Sequence, residues 1–310
     1  MTVSAVSYLN TVPMVYGITH AVGVRIAGAD LHSVPPSLAR TCSPCLNEVE
    51  PLLAGTELLL TPPRLCAEAF ASGAAQVALL PTGALLSSTA SSPSAALFGQ
   101  GEAQGEARGD VQSGPQSGGA RIVTDYCIGA SGDVRTVVIV SDSPIGQVRR
   151  LYLDNHSLTS VALSGVLCRE LWNIAPERIP MGDMAALPEA LAAARPGDAF
   201  LLIGDKVFDH EGRFTYSYDL ARAWRELTGL PFVFAVWVAA PQVGEEYLAA
   251  LNAALGYGVQ HIPQAVAASA HAAKDYAVDY LTRNIDFRLD QAKRRSLALF
   301  LSGNAYGEMT

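Results

Sequence analysis

The sequence predicts an α/β protein whose two lobes close like a clamshell on a ligand cleft. Three observations support this fold class. Short apolar runs alternate with helical segments, polar side chains follow several of these runs, and the last strong run, Phe232–Ala239, precedes a region with helical patterns only. Such a run is typical of a strand buried on both faces. We expect it to lead the chain from the second lobe, residues 126–235, back to the first, residues 1–125 and 236–310, with the ligand between them.

The composition limits the kinds of partner. The 310 residues carry a formal net charge of −8, and only 16% of them are charged. An acidic chain argues against nucleic acid or an anionic membrane as partner, because both require a basic face. A small anion is still compatible, since two or three local donors can bind one. We expect a cytoplasmic protein, since the chain shows neither a leader pattern nor a membrane-spanning apolar stretch.

The five cysteines do not predict a disulfide framework, because their number is odd and the chain is large. Most should be apolar packing residues. The pair in Cys42-Ser43-Pro44-Cys45 has redox spacing, but it lacks the strand and helix around it that a redox motif needs, and no second pair completes a zinc site. No glycine-rich phosphate loop is present either, so we expect no cofactor and no metal.

The first polar edge follows the opening strand, residues 3–6. It reads Ser7-Tyr8-Leu9-Asn10-Thr11-Val12-Pro13. Pro13 suits the first turn of a helix, so Thr11 or Val12 should cap a short helix over residues 14–17. Polar groups at the carboxyl end of a first strand are where ligands bind in α/β proteins. The alternative is an ordinary turn whose side chains satisfy backbone groups.

The next strand and helix repeat this arrangement. A helix over residues 64–71 precedes a buried strand, 76–80, and Thr82 follows that strand as Asn10 follows the first. Residues 28–55 contain four prolines and receive no assignment. Residues 87–120 are rich in Ser, Ala, Gly, Gln and Pro and predict a mobile surface insertion, either a tolerated loop or a functional lid.

The central region carries two further features that suit a ligand. Apolar runs at 122–128 and 134–141 flank the bend Gly129-Ala130-Ser131-Gly132, whose glycines allow backbone N–H groups to approach a ligand. A strand at 151–154 then leads into a helix over residues 157–172. Ser157 is a natural N-cap, and the free N–H groups of the first turn with the hydroxyls of Thr159 and Ser160 predict a carboxylate or phosphate site.

The remaining elements complete the second lobe and return to the first. We expect a helix at 187–194, a strand at 199–203 closed by Gly204 and Asp205, and a helix that Asp219 caps and Gly229 ends. Beyond residue 245 the pattern predicts helices at 245–258, 263–284 and 290–301, and no further strand of any strength.

Several short motifs, in order over nearly the whole chain, resemble one family. They are the first polar edge, Ala78-Leu79-Leu80-Pro81, Cys127-Ile128-Gly129-Ala130, Tyr152-Leu153-Asp154, His156-Ser157-Leu158-Thr159-Ser160-Val161, Leu202-Ile203-Gly204-Asp205 and Gly229-Leu230-Pro231-Phe232-Val233-Phe234-Ala235 with Trp237. Together they resemble the chorismate dehydratase of the futalosine route to menaquinone. The resemblance implies a fold like the type II periplasmic binding proteins and loss of water from chorismate, which gives 3-[(1-carboxyvinyl)oxy]benzoate.

The resemblance also implies where the dianionic substrate binds. One carboxylate should bind at the 157–160 helix start and the other near Asn10, Thr82 and the 129–132 bend. The substrate-binding candidates are Ser7, Tyr8, Thr11, Thr82, Gly129, Ser131, Arg135, Ser157, Thr159 and Ser160. Donors at the ring carboxylate would stabilise the transition state, because negative charge develops there.

Three candidates for the proton acceptor stay open. Asn10 is neutral and cannot act as a base, so it should orient the substrate or bond the departing hydroxyl. Asp205 and His156 are the side-chain candidates for the base. The substrate's own enolpyruvyl carboxylate is the third candidate and the one we favour.

Some features depart from the family's pattern or favour other classes. Val12 and Leu158 stand where a basic residue is common in the family. One alternative is an anion-binding solute-binding module of the same fold. Another is an enzyme like 1,4-dihydroxy-6-naphthoate synthase. The sequence does not predict an oligomeric state.

Overall fold

The computed structural model describes residues 1–20, 25–27, 53–86, 121–154, 157–181, 187–271 and 274–302, and of 25–27 the backbone only. Strands in these ranges form two sheets, one of seven strands and one of five. The strands are β1 (Thr2–Val6), β2 (Arg25–Ala27), β3 (Glu57–Thr61), β4 (Val77–Pro81), β5 (Arg121–Ala130), β6 (Val137–Ser141), β7 (Arg150–Asp154), β8 (Glu177–Met181), β9 (Asp198–Ile203), β10 (Tyr216–Asp219), β11 (Phe232–Ala239) and β12 (Asp286–Arg288).

Helices surround both sheets. In the described ranges they are α1 (Val12–Thr19), α2 (Pro63–Ala71), α3 (Thr82–Leu86), α4 (Leu158–Glu170), α5 (Leu187–Ala192), α6 (Leu220–Thr228), α7 (Glu245–Gln260), α8 (Ile262–Ala267), α9 (Tyr276–Arg283) and α10 (Gln291–Ser302). Short 3₁₀ turns lie at Leu9–Thr11, Ile145–Gln147 and Asp205–His210.

The seven-stranded sheet has the order β12-β5-β11-β4-β1-β3-β2. β1 pairs in parallel with β3 and β4, whereas β11 pairs antiparallel with β4 and β5. All eight residues of β11 are buried, as the uninterrupted apolar run predicts. β11 therefore joins the parallel and antiparallel parts of this sheet.

The five-stranded sheet has the order β10-β6-β9-β7-β8. Its strands all come from one continuous part of the chain, between β5 and β11 of the other sheet. β7 pairs in parallel with β8 and β9, and β6 pairs antiparallel with β9 and β10. The predicted lobe boundaries at 125/126 and 235/236 stay predictions; β5 and β11 both extend across them in the seven-stranded sheet.

The α/β fold class is confirmed, but several predicted elements need correction. A strand, β12, follows residue 245 after all, and the helix predicted over 263–284 is divided into α8 and α9. The run predicted as a strand from residue 134 starts only at Val137, because Arg135 has a left-handed φ of 61° that interrupts it. Four short strands were not predicted at all: β2, β3, β8 and β10.

The cysteines of the described chain follow the prediction. Cys66, Cys127 and Cys168 are buried free thiols. Cys42, Cys45 and the insertion predicted at 87–120 lie outside the described residues. Among the helices of the described ranges, none combines the length and the apolar character needed to cross a membrane.

Candidate ligand site between the two sheets

A cavity lies where the two sheets meet. Its enclosed volume is about 60 Å³, so in this conformation the cavity is smaller than a typical small-molecule site. Its apolar walls come from both sheets, with Leu79, Ile128 and Phe234 on one side and Val137 and Ile203 on the other. The polar side chains that face it are Tyr8, Asn10, Thr136, Ser157 and Ser160. Among the described residues that line it, none is charged at neutral pH.

One wall is the start of helix α4. Ser157 caps this helix, and its Oγ accepts a hydrogen bond from the Ser160 N–H at 3.2 Å. The two serine hydroxyls lie 3.0 Å apart. The first-turn N–H groups of a helix lack partners within the helix and carry its positive dipole end. This wall can therefore bind an anionic group, as the N-cap pattern predicts.

Two threonines expected at the ligand instead join helices α3 and α4 to β11. Thr82 Oγ1 donates to the Val233 carbonyl at 2.9 Å, and Thr159 Oγ1 donates to the Phe234 carbonyl at 3.1 Å. The Gly83 N–H donates to Thr159 Oγ1 at 2.9 Å. Both hydroxyls are buried and do not line the cavity. The two hydroxyls therefore hold the starts of α3 and α4 in place and do not contact a ligand in the cavity.

The opposite polar wall is the 3₁₀ turn that carries Asn10. Thr11 Oγ1 donates to Asn10 Oδ1 at 3.2 Å, so Thr11 orients the amide from behind. The Asn10 side chain is also a neighbour of the Tyr280 hydroxyl, which lies 2.8 Å from Thr136 Oγ1. Complete burial raises the pKa of Tyr280, so its hydroxyl stays protonated. Four neutral groups, in two hydrogen-bonded pairs, thus form a polar cluster at this wall.

Neither Tyr280 nor Thr136 was predicted from the sequence. Tyr280 is one aromatic residue within the apolar pattern of α9. Thr136 follows the 129–132 bend, and its sequence position alone does not show that it faces the cleft. Thr136 also connects to the turn after β9, since its carbonyl accepts the Gly204 N–H at 2.9 Å. Gly204 has a φ of 74°, and the Tyr8 ring packs against it.

Asp205 lies behind the cavity rather than in its wall. Its two carboxylate oxygens accept the Leu9 N–H at 3.3 and 3.2 Å. His271 Nε2 is 3.8 Å from Asp205 Oδ2. Burial raises the pKa of Asp205 and lowers the pKa of His271. His271 had no signal in the sequence, because a single histidine between two helices predicts nothing.

The other predicted site residues lie elsewhere. Gly129 is inside β5 and packs against the carbonyls of Asp286 and Phe232. Ser131 donates to Asp286 Oδ2 at 2.7 Å on the outside of the sheet. Arg135 pairs with Glu211 at 2.6 Å.

Two further predicted residues complete the account. Ser7 does not line the cavity, and its N–H donates to the Thr61 carbonyl at 3.1 Å. His156 lies outside the described residues.

Solved structures with a similar fold define the class. A protein of Archaeoglobus fulgidus matches with a TM-score of 0.63 at 13% identity, over 99% of this chain and 97% of that one. A Candida albicans gene product described as having the generic periplasmic binding protein fold matches with a TM-score of 0.59 at 10% identity, over 100% and 92%. The aliphatic sulphonate binding protein of Escherichia coli matches with a TM-score of 0.53 at 14% identity, over 98% and 90%. The chain therefore has a periplasmic-binding-protein-like fold with two sheets.

A sequence-family model narrows this class. The menaquinone biosynthesis family matches residues 117–305, which is more than half of the chain. The protein belongs to this family. The matched part includes the Ser157 helix start and Tyr280, and it begins after the turn that carries Asn10.

Proposed function

We propose that this protein is a chorismate dehydratase, an enzyme that eliminates water from chorismate to give 3-[(1-carboxyvinyl)oxy]benzoate. Membership of the menaquinone biosynthesis family supports a role in that pathway. The motifs in order along the chain support this particular reaction. The substrate is a small dianion, and the reaction takes place in the cytoplasm.

One observation carries the proposal. The helix start at Ser157 and Ser160 and the neutral cluster around Asn10 face the same cavity, and apolar walls separate them. The lining is complementary in chemistry to a flat, ring-shaped ligand with an acidic group, because the ring can contact the apolar walls while the acid binds N–H and O–H donors. A hydrogen bond to a carboxylate is stronger than one between neutral groups, so these donors can serve where the family's basic residues are replaced.

The mechanism assigns the ring carboxylate to the α4 helix start. The proton leaves a ring carbon that is conjugated through a double bond to this carboxylate, so negative charge develops on it. The electron pair then forms the last ring double bond as the hydroxyl leaves with a proton as water. Donors at the helix start bind the charge more strongly in the transition state than in the substrate. Aromatisation makes the step favourable.

Asn10 has the role of orienting the hydroxyl that leaves. Its amide is neutral and can both donate and accept, and Thr11 donates a hydrogen bond to it beside the Tyr280 hydroxyl. Asp205 is a poor choice of base, because both of its oxygens face the Leu9 N–H and it does not line the cavity. We therefore propose that the enolpyruvyl carboxylate of the substrate takes the proton from the ring carbon and passes it to the hydroxyl as that group leaves as water, so that the protein only has to orient this carboxylate.

The test is to mix the purified protein with chorismate and to follow the ultraviolet spectrum and the product mass. Loss of the diene with a product lighter by one water supports the proposal. Asn10→Ala should lower kcat by about 10²-fold, as expected when an orienting group is lost, and Ser157→Ala should also lower kcat, because it removes a donor that binds the transition state more strongly than the substrate. Ser72→Ala removes an exposed hydroxyl that does not line the cavity and serves as the control. An unchanged spectrum with wild-type protein refutes the dehydratase.

A second candidate is a module that binds an anion and releases it unchanged. The observation that favours it is the fold. One similar structure is described as having the periplasmic binding protein fold, and another is a sulphonate binding protein. Calorimetry with chorismate distinguishes the two candidates. Saturable binding that leaves the mass of the added chorismate unchanged supports the binding module.

A further inference from the structure

The 3₁₀ turn that presents Asn10 is capped from a distant part of the chain. Its own N-cap residue, Tyr8, makes no side-chain cap hydrogen bond. The Leu9 N–H, which has no partner within the turn, instead points to both oxygens of Asp205, 196 residues away. A carboxylate is a favourable acceptor at such a position. Because Leu9 is fully buried, removing this acceptor would leave its N–H unsatisfied.

His271 extends this arrangement to the segment between α8 and α9. Its Nε2 is 3.8 Å from Asp205 Oδ2, and its side chain is 13% exposed. Its Nδ1 is buried, and none of the described residues gives it a hydrogen bond. A buried polar atom without a partner is unfavourable, so its presence in a native structure calls for an explanation. The Nε2 edge of the ring, and not the Nδ1 edge, is the one that faces the carboxylate.

The surroundings of His271 affect its protonation state. Burial lowers the pKa of His271, and Asp205 opposes that effect. Lys274 and Asp209 are the other charged groups that act on Asp205. Residues 272 and 273 are alanines and add no charge. Burial therefore favours the neutral form of the His271 imidazole beside Asp205.

We propose that Asp205 and His271 are positioning residues for Asn10: the carboxylate caps the Leu9–Thr11 turn, and the imidazole holds the carboxylate. This inference rests on the proposed function in that it takes Asn10 to orient the substrate. The two residues come from the exit of β9 and from the segment before α9. The orientation of one amide thus depends on three separate parts of the chain.

The first experiment compares two substitutions of Asp205. Asp205→Ala removes the cap, and we expect kcat to fall by about 10²-fold while KM changes less than about threefold, because the reacting groups are misplaced. Asp205→Asn keeps an acceptor oxygen for the Leu9 N–H, so its kcat should stay within about fivefold of wild type. A general base would behave differently, since the amide introduced by Asp205→Asn cannot accept a proton. Equal losses in both variants would overturn the proposal.

A double-mutant cycle provides the second test. If Asp205 acts through Asn10, adding Asp205→Ala to Asn10→Ala should lower kcat by less than about threefold further. Additive losses would contradict the proposal. His271→Leu should lower kcat about tenfold, whereas His271→Gln, which keeps an N–H donor, should stay within about threefold. Asp209→Asn changes an exposed carboxylate on the same turn and is the matched control.

Amide hydrogen exchange tests the geometry without any activity. In the unliganded protein, the Leu9 amide should exchange at least about tenfold faster in Asp205→Ala than in wild type, and Asp205→Asn should retain protection. Unchanged protection of Leu9 in Asp205→Ala would overturn the inference. Wild-type protein that fails to convert chorismate but shows this exchange pattern would refute the proposed function and leave the capping role supported.

Discussion

Replacing Gly83 with alanine should disturb the contact between helices α3 and α4. A Cβ atom at Gly83 would lie 2.5 Å from the Leu158 carbonyl carbon and 2.5 Å from the Thr159 nitrogen. Both are backbone atoms at the start of α4, so no side chain can move away to make room. The helix start that forms the proposed anion-binding wall of the cavity must therefore shift.

The size of the effect follows from these contacts. Overpacking of a buried contact costs about 1–3 kcal/mol, and weakening the Gly83 N–H bond to Thr159 adds about 0.5–1.5 kcal/mol. Alanine regains about 1 kcal/mol through its helix propensity. We expect a net loss of about 1–3 kcal/mol in unfolding free energy. A shift of about 1 Å at the helix start should also lower kcat/KM by about 10²-fold.

The assay combines thermal unfolding with turnover of chorismate. Gly146→Ala is the control, because a Cβ at Gly146 has no atom within 4 Å. The control should melt and turn over as wild type does. If Gly83→Ala matches wild type in both measurements, the contact between the two helix starts does not hold the cavity wall, and the reasoning is refuted.

Two further predictions concern stability. Asp219 caps α6 by accepting the N–H groups of Ala221 and Arg222, so Asp219→Ala should lower the unfolding free energy by about 0.5–2 kcal/mol and Asp219→Asn by less; equal losses in chemical denaturation would contradict the capping role. Burial lowers the pKa of His20, so the folded protein binds a proton there less readily than the unfolded chain. The stability that the folded protein gains from keeping His20 neutral is complete above about pH 6.5 and is lost as the pH falls below that value. His20→Phe should therefore show a smaller decrease in Tm between pH 7 and pH 5 than the wild-type protein does. An equal decrease would argue against a role of His20 in this pH dependence.

Local signals predicted the strongest elements well. The run Phe232–Ala239 is a strand with the predicted bounds, and Ser157 and Asp219 are the N-caps of α4 and α6. In these cases burial on both faces or a capping side chain leaves a direct mark on the sequence. β8 left no such mark, because Glu177–Met181 is an edge strand of mostly exposed residues that includes a proline.

The site was harder to predict than the fold. Thr82 and Thr159 follow the pattern of ligand-binding hydroxyls, yet the carbonyls of β11 accept their hydrogen bonds. Sequence alone cannot show this, because the competing acceptors lie about 75 to 150 residues away. His271 was missed for the same reason. Its partner is fixed by tertiary structure and not by its neighbours in the chain.

The order of the strands has a consequence for how the chain folds during synthesis. All strands of the five-stranded sheet lie between residues 137 and 219. This sheet can therefore form as soon as that part of the chain is made. The seven-stranded sheet pairs β4, near the start of the chain, with β11, and adds β12 at its edge. Such long-range pairing is slow to form. β1 and its polar turn must therefore wait for more than 200 residues of later chain before the wall that holds Asn10 is complete.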